Sequence, residues 1–462
     1  MNLFATRIGI VVLLNSILFS GVEADEIDLN QLLNMKDREA IERLYGSPLL
    51  GTSNVRGNAG QLRFGRQKNG FVPMIVTFDL KSRWLTINMR RKLVEADKDL
   101  LRQISKLHTL LFSSLHPLTN QQIKFLGGVG VRNIVVRSTL VTDEGLADLK
   151  KCPKLKRLFL FGRQFTDEGT SQIKLIPQLE SLTLSQWSLT EAGLTQLAEM
   201  KQLRTLNLFY DENPSSEAIK HLSKMNNLEA LALYSSEGLS SSILVDLSKL
   251  KQLKSLSIAG MKVNGDDWKH LRVFENLESL SLTGTDFRDN DMKYLATMSS
   301  LNRLILSNTK IKNDALEYLG PLKRLNEINL DGTKVGDVGI KHLARLQEIE
   351  SLTLARTSVT DKGMEHLQEL TTLRMLNLSE TAVSDTGIAH LRGLANIERF
   401  FLRGTKVTDA TLEEFASFEK LWKLHIQKTN VTLKGVRAFQ LKRPNCELVV
   451  DPEMLRELTG MK

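Results

Sequence analysis

Histidines recur at a fixed stride in the second half of the chain. His342, His366 and His390 stand 24 residues apart, and His270 occupies the same slot of an earlier repeat. Because neutral imidazole is a common metal ligand, a stack of such side chains could bind zinc. Zinc needs ligands about 2.0–2.1 Å from one shared ion, whereas neighbouring helices pack roughly 8–10 Å apart. We therefore predict exposed positions of a repeated template and no metal site.

Aspartates follow the same stride and raise the question of calcium. A calcium ion needs about six or more oxygens around one point. Each repeat offers a single carboxylate, in most repeats directly after a Ser or Thr, which is the arrangement of helix caps. The sequence therefore predicts caps, with no metal and no cofactor, at Asp143, Asp167, Asp289, Asp337, Asp361, Asp385 and Asp409.

Motifs of common enzyme chemistry are absent from the sequence. It contains no G-x-S-x-G, H-E-x-x-H, C-x-x-C or phosphate-binding G-x-x-x-x-G-K-[ST]. A glycine cluster at Gly127, Gly128 and Gly130 lacks the dinucleotide-binding fingerprint. An enzyme would have to place its site in the non-repeat residues 25–84, which contain no His and no Cys. We predict a protein without catalytic residues.

A repeat of about 24 residues positions all of these side chains. Each frame reads L-x-x-L-x-L-x-x-T-x-V-T-D-x-G and continues with apolar residues three apart. In the frame at Leu373, Leu376 and Leu378 alternate with polar neighbours, as in a strand with one buried face. Ile388 and Leu391 recur at helical spacing, which predicts a helix with one buried stripe. Thirteen full frames begin at Val131, Leu155, Leu179, Leu203, Leu228, Leu253, Leu277, Leu301, Leu325, Ile349, Leu373, Ile397 and Leu421.

One strand-and-helix unit cannot bury its own apolar face, so the copies must stack into a solenoid. With these frames the chain resembles leucine-rich repeat proteins of the longer, helix-containing, ribonuclease-inhibitor-like type. In detail it is similar to exported bacterial proteins with T-x-V-T-D-x-G repeats, over about residues 85–450. The resemblance implies an α/β horseshoe with a concave parallel β-sheet and convex helices. It also implies protein binding, and it implies no reaction.

The first residues are predicted to be a signal peptide, residues 1–24. Arg7 precedes the apolar run Ile8–Phe19, and small residues allow a cut after Ala24. An apolar run of twelve residues is shorter than the roughly 20 needed to span a bilayer as a helix. We therefore expect an exported chain, periplasmic, cell-surface or secreted, that does not span a membrane after cleavage.

The remaining chain is predicted to contain three segments. Residues 25–73 read as a helix followed by a glycine-rich linker at 46–70. Residues 74–450 form the repeat solenoid, which begins with a hairpin of Met74–Leu80 and Trp84–Met89 as its cap. Residues 451–462 read as a closing helix, because Asp451 can act as its N-cap and Pro452 as its first residue.

Charge and cysteine content restrict the partners and the covalent chemistry. The net charge of +9 favours acidic proteins, anionic glycans or membrane headgroups as partners, and an exported protein is expected to meet little nucleic acid. The only two cysteines, Cys152 and Cys446, are 294 residues apart. Stacked strands are roughly 4.8 Å apart, and a disulfide needs Cα atoms within about 7 Å, so both cysteines should be free and buried.

The positions that the template leaves free indicate where a ligand could bind. Residues beside the buried leucines of each strand should face the hollow of the horseshoe, since side chains alternate along a strand. Aromatic and Arg residues at such positions are typical of binding surfaces. An aromatic patch is predicted at Arg157, Phe159, Phe161, Phe209, Tyr210 and Tyr234, and a basic patch at Arg356, Arg399, Phe401, Arg403, Lys423 and His425.

The resulting prediction is a non-enzymatic, exported scaffold that binds a protein on the concave sheet. Two alternatives remain open at this point. One is a structural envelope or spacer protein without a specific ligand. The other is a protein that binds a glycan or another polyanion through the basic patch.

Overall fold

The computed structural model describes most of the repeat region and parts of the N-terminal region. The predicted signal peptide lies outside the described residues. The described ranges are 35–45, 49–56, 59–64, 74–79, 85–89, 94–104, 107–112, 118–137, 140–210, 215–235, 242–260, 263 and 265–459.

These residues form two compact units. The first unit extends to Leu228 and the second begins at Glu229, except that a short segment starting at Ser235 groups with the first unit. Each unit contains its own series of repeats.

The sheet of the first unit changes from antiparallel to parallel pairing. Strands β1 to β4 pair antiparallel in chain order, and from β4 to β9 each strand pairs parallel with the next. Parallel neighbours require a crossover connection, usually a helix. The strands are β1 Leu49–Arg56, β2 Ala59–Phe64, β3 Met74–Asp79, β4 Leu85–Met89, β5 Leu107–Phe112, β6 Asn133–Arg137, β7 Arg157–Phe161, β8 Ser181–Ser185 and β9 Thr205–Tyr210.

The sheet of the second unit is parallel throughout its described strands. Each strand pairs with the next in register, so that equivalent residues of successive repeats face each other. The strands are β10 Ala230–Ser235, β11 Ser255–Ala259, β12 Ser279–Ser281, β13 Arg303–Ile305, β14 Glu327–Asn329, β15 Ser351–Thr353, β16 Met375–Asn377, β17 Arg399–Phe401, β18 Lys423–His425 and β19 Glu447–Val449.

Short helices form the crossovers and the chain ends. The α-helices are α1 Met35–Tyr45, α2 Glu95–Gln103, α3 Asn120–Lys124, α4 Asp143–Leu146, α5 Asp167–Lys174, α6 Glu191–Ala198, α7 Ser216–Lys220, α8 Ser242–Leu247, α9 Asp337–Ile340, α10 Asp361–Leu367, α11 Asp385–Ala389, α12 Asp409–Phe415, α13 Leu433–Lys442 and α14 Pro452–Thr459. Other crossovers are 3-10 helices, at Ala147–Lys151, His221–Lys224, Gly265–Val273, Asp289–Tyr294, Asn313–Leu319 and Leu343–Arg345.

The repeated apolar residues form the core between strand and helix. In the repeat that begins at Leu373, the strand residues Leu376 and Leu378 and the helical residues Ile388 and Leu391 are all 0% exposed. Full burial of such a side chain contributes about 1.5–3 kcal/mol, and every repeat adds several of them. The predicted α/β solenoid of parallel strands and helical crossovers is therefore confirmed.

The described part of the glycine-rich stretch at residues 46–70, which was predicted to be a loop or linker, forms two strands. It contains β1 and β2, which pair antiparallel, and β2 continues to β3. Strand pairing uses backbone groups, which glycine supplies as well as any residue, and glycine in a strand often marks a bulge. The β1–β2 register shifts twice, which fits this composition. The prediction of a linker was wrong for these two strands.

The aspartate series joins successive repeats and does not cap the helix of its own repeat. The hydroxyl oxygen of Thr360 caps α10 by accepting a hydrogen bond from the Lys362 amide. The Asp361 carboxylate reaches the next repeat, where it accepts from the amide of Ser384 at 2.7 Å and from its hydroxyl at 2.6 Å. The same pair of bonds joins Asp143 to Thr166, Asp167 to Thr190, Asp337 to Thr360, Asp385 to Thr408 and Asp409 to Thr432.

Both cysteines are free and buried, as predicted. Burial raises the pKa of the Cys152 thiol to about 12 and that of Cys446 to about 11. Because the thiolate is the reactive form, both residues are packing residues near neutral pH.

Candidate functional site

The open face of the first unit's sheet carries two aromatic side chains from one strand. Along β7, Leu158 and Leu160 are buried at 0% exposure, and the alternating residues Arg157, Phe159 and Phe161 point to the opposite side. Arg157 is exposed, and the two phenylalanines are half-buried. The structure therefore places these three predicted residues on the sheet face away from the helices.

The register brings side chains of four strands into one row beside these rings. Arg137 of β6 faces Phe161 of β7, which faces Ser185 of β8, which faces Phe209 of β9. Ser185 is only 1% exposed, although it lies on the open face, because it is a small residue between two phenylalanines. We call Arg137, Phe159, Phe161 and Phe209 the aromatic face.

Arg137 is the residue of this surface that sequence reasoning missed. Its guanidinium carbon lies 5.5 Å from the centroid of the Phe161 ring, within reach of a cation–π interaction. Its Nε is buried and has no hydrogen-bond partner within the described part of the chain. Burial lowers the pKa of Arg137, yet Arg remains charged near neutral pH. The aromatic face thus contains a cation with unused hydrogen-bonding capacity.

Tyr210 does not lie on the open face as predicted. It follows Phe209 at the end of β9, so strand alternation turns it to the side of Leu206 and Leu208. Tyr210 is 6% exposed, and burial raises the pKa of its hydroxyl, which has no hydrogen-bond partner among the described residues. Phe209 itself is 8% exposed, so it presents only an edge to solvent.

Tyr234, the last member of the predicted aromatic patch, belongs to the second unit. Its hydroxyl accepts a hydrogen bond from the Ser257 hydroxyl at 3.0 Å. Burial raises the pKa of Tyr234, and this hydrogen bond only partly opposes the rise. The ring is half-buried and is held by its neighbours in the sheet.

The predicted basic patch lies on the open face of the second unit's sheet. The register aligns Arg399 with Lys423, and Lys423 with Glu447. Lys423 Nζ lies 3.1 Å from the Glu447 carboxylate, so its charge is partly compensated. Arg399 is half-buried and has no acidic partner within the described residues. Arg399 therefore contributes the least compensated charge of this row.

Phe401 and His425 form the aromatic part of the basic patch. They face each other in neighbouring strands, and their ring centroids are 4.5 Å apart. Burial, followed by the nearby Lys423 charge, lowers the pKa of His425 to about 4. His425 Nε2 is buried without a hydrogen-bond partner in the described structure. His425 thus contributes a neutral ring and no positive charge near neutral pH.

The last two residues of the basic patch lie at the turns that follow the strands. Arg403 approaches the Glu380 carboxylate at 3.9 Å, which is the outer limit of an ion pair. Arg356 is exposed and has a φ of 54°, the left-handed conformation of this turn. No ion pair to Arg356 is found among the described residues. The Arg356 charge still acts on the Asp331 carboxylate, whose pKa it lowers against the larger, opposite effect of burial, so Arg356 is partly compensated.

Solved structures of other repeat proteins share this arrangement of strands and crossovers. An internalin from Listeria monocytogenes aligns with 71% of this chain and 88% of its own, at 22% identity and a TM-score of 0.50. The chain folds as a leucine-rich repeat solenoid. A leucine-rich repeat protein from Leptospira interrogans aligns with 78% of this chain and 92% of its own, at 16% identity and a TM-score of 0.44. No protein-family model and no curated protein matches the sequence.

The histidine series lies on the helical side of the leucine-rich repeats. His366 is exposed, His390 lies 3.8 Å from the Glu365 carboxylate, and burial lowers the pKa of His342. Within the described ranges, no group of three or more His, Cys, Asp or Glu side chains is placed to hold a metal ion.

None of the helices in the described part of the chain is long and apolar enough to cross a bilayer.

Proposed function

We propose that this leucine-rich repeat chain is an exported, non-enzymatic scaffold that binds a protein through the aromatic face. The observation that supports the proposal is the combination of Phe159 and Phe161 with Arg137, whose buried Nε has no hydrogen-bond partner among the described residues, on one sheet face. Aromatic residues and Arg contribute most of the binding free energy in many protein interfaces. A partner that covers the rings removes apolar surface from water, at about 25 cal/mol per Å².

The chemistry of the aromatic face restricts the partner segment. It should offer an apolar side chain to Phe159 and Phe161 and a carboxylate to Arg137. An Arg–carboxylate pair that partner binding shields from water is stronger than an exposed one. Because the strands are already paired with their neighbours, little of this surface has to be ordered when the partner binds, which favours affinity.

The double variant Phe159→Ala/Phe161→Ala tests the proposal. We expect at least about a tenfold lower recovery of protein partners from an envelope extract of the source cells, measured by affinity capture and mass spectrometry. Phe401→Ala is the matched control, because Phe401 is also half-buried on an open sheet face but belongs to the basic patch.

Thermal unfolding of each variant separates loss of binding from loss of folding. Equal recovery of the same partners by the wild type and a folded Phe159→Ala/Phe161→Ala variant would contradict the proposal. Loss with Phe401→Ala alone would assign binding to the basic patch.

A second candidate is binding of an acidic protein or an anionic glycan by the basic patch. Arg356 and Arg399 favour it, because neither forms an ion pair within the described residues and cations on one surface attract anionic partners. Its test is Arg356→Gln/Arg399→Gln, with the same extract and with a sulfated glycan as the probe. A lower recovery of both ligands than with wild type is the expected result.

A further inference from the structure

A cavity of about 630 Å³ lies in the first unit, away from the sheet residues discussed above. It is formed where α2, α3 and the 3-10 helix Ala147–Lys151 end. Its volume is within the range of ligand-binding pockets, about 300–1,000 Å³, but such pockets are mostly apolar and this one is mostly charged. The lining residues are Lys98, Arg102, Lys124, Gly127, Gly128, Asp148 and Lys151.

The backbone of Gly127 and Gly128 forms one wall of this cavity. Arg102 donates to the Gly127 carbonyl oxygen through Nε at 3.1 Å and also through Nη2. Gly128 has a φ of +81°, and a Cβ at this position would approach Arg102 Nη2 to 2.8 Å. The Gly128 amide donates to the Lys151 carbonyl oxygen at 2.9 Å. The positive φ therefore favours glycine at position 128, and an added Cβ would displace the end of the Arg102 side chain.

The cationic lining of the cavity is only partly compensated. Lys151 lies 2.5 Å from the Asp148 carboxylate, and Arg102 Nη1 lies 3.6 Å from Asp99. Lys98 and Lys124 have no acidic partner within the described residues. Four cations therefore surround a space that contains one carboxylate. Their mutual repulsion is relieved when an anion occupies that space.

The favourable interaction of cations with helix C-termini explains the positions of some of these side chains but not of all. Arg102, Lys124 and Lys151 lie in the last turns of their helices, where cations interact favourably with the exposed carbonyls. Lys98 lies a turn earlier in α2, and its side chain still lines the cavity. A role in helix capping does not account for Lys98.

We propose that this cavity binds a tetrahedral oxyanion, namely a phosphate or sulfate group. Arg102 Nε and one Nη2 hydrogen already bond the Gly127 carbonyl oxygen, so Nη1 and the second Nη2 hydrogen are the donors that Arg102 can offer to such a group. Lysine ammonium groups supply mobile donors around it. The group can be a free phosphate or part of a phosphorylated headgroup, and the two sources share this chemistry. The cavity opens to solvent through the exposed Lys124 and Gly128.

Titration calorimetry of the full chain with inorganic phosphate, at low ionic strength, tests the site. We expect one binding event per chain with a dissociation constant of about 1 mM or lower. Lys98→Gln/Lys124→Gln should weaken binding about tenfold or more. Asp148→Asn should strengthen binding a few-fold, because it removes the one acidic group from the cavity.

The matched control is Lys362→Gln/Lys406→Gln, which removes the same net charge from two exposed lysines of the second unit. Equal weakening by the control and by Lys98→Gln/Lys124→Gln would show attraction by net charge alone and overturn the proposal. Weaker binding by Asp148→Asn would overturn it as well, and so would the absence of binding to phosphate in the wild type.

Vesicles distinguish the two sources of the phosphate group. Cosedimentation with phosphatidylcholine vesicles containing phosphatidic acid, with abolished binding in Lys98→Gln/Lys124→Gln, assigns the site to a lipid headgroup. Binding of inorganic phosphate with no vesicle binding assigns it to a soluble phosphate. Since the cavity and the aromatic face share no residue, loss of phosphate binding leaves the proposed protein-binding function untested and unchanged.

Discussion

At the scale of single residues, His425 shows how packing removes the charge that its residue type suggests. Its folded pKa of about 4 lies well below the value of about 6.5 expected in the unfolded chain. Below pH 6.5 the unfolded chain therefore binds the proton more readily, and the free energy of unfolding falls as the pH is lowered toward 4. His425 makes no such contribution above pH 6.5.

The variant His425→Phe tests this pH dependence. Phenylalanine keeps the ring contact with Phe401 and cannot be protonated. We expect the wild type to lose roughly 1–3 kcal/mol more stability than His425→Phe between pH 6.5 and pH 4, measured by urea unfolding. His342, whose pKa is also lowered, is present in both proteins and cancels in the comparison. Parallel pH profiles would mean that His425 is protonated as readily in the folded protein as in the unfolded chain.

At the scale of elements, the aspartate series explains why one position of the next repeat is usually glycine. A Cβ on Gly435 would lie 2.2 Å from Asp409 Oδ1, because this carboxylate reaches over to bond Thr432. In the preceding repeat the slot holds Thr411, whose hydroxyl donates to the Asp385 carboxylate. Burial raises the pKa of Asp385, but the hydrogen bonds from Thr408 and Thr411 outweigh this effect and lower it. The slot therefore accepts glycine or a donor such as Thr411, and beside Asp289, which among the described residues bonds only the Lys312 amide, it holds Ala315.

Gly435→Ala should destabilise the protein by about 1–3 kcal/mol in denaturant unfolding, since the new methyl group and the Asp409 carboxylate occupy the same space. Asp409→Ala should also destabilise it, through the two lost hydrogen bonds to Thr432. The double variant should lose about 1 kcal/mol less than the sum of the single variants, because each change relieves the other. Gly393→Ala is the control, as nothing lies within 4 Å of its added methyl group, and it should change stability by less than about 0.5 kcal/mol. Strict additivity of the two single changes would contradict the proposed coupling.

The sequence predicts the strands and helices well because the apolar residues of each repeat mark its buried positions, as Leu376, Leu378 and Ile388 show. Arg137 could have been found from the sequence, because it stands 24 residues before Phe161 and the register pairs the two residues. The sequence fails where the end of a strand differs between repeats. Tyr210 occupies a slot in which other repeats have a left-handed turn residue such as Gly260. There β9 continues one residue further, and the ring is buried.

At the scale of the whole molecule, the chain carries a net charge of +9, and some of its charged side chains form surface ion pairs between successive repeats. Arg374 pairs with Glu398 at 2.5 Å, Arg392 pairs with Glu414, and Lys156 pairs with Glu180 at 2.5 Å. These groups are exposed or half-exposed, so each pair contributes little stability, about 0–1 kcal/mol. Their effect is to neutralise the cations that take part in them.

Ionic strength therefore separates the two candidate binding surfaces. Salt shortens the range of charge interactions to about 8–10 Å near 0.1 M and about 3 Å at 1 M, whereas burial of apolar surface is not weakened by it. If the aromatic face dominates, raising NaCl from about 0.05 M to 0.5 M should weaken partner binding only a few-fold, through Arg137. If the basic patch dominates, the affinity for the partner should fall about tenfold or more over the same range of NaCl. In that case Arg356→Gln/Arg399→Gln should make the affinity less dependent on salt.

We expect the affinity to depend only weakly on salt, measured by surface plasmon resonance with the captured partner. The reason is that Phe159 and Phe161 offer more exposed apolar surface than Phe401 alone. A steep dependence that Phe159→Ala/Phe161→Ala leaves unchanged would move the binding function to the second unit.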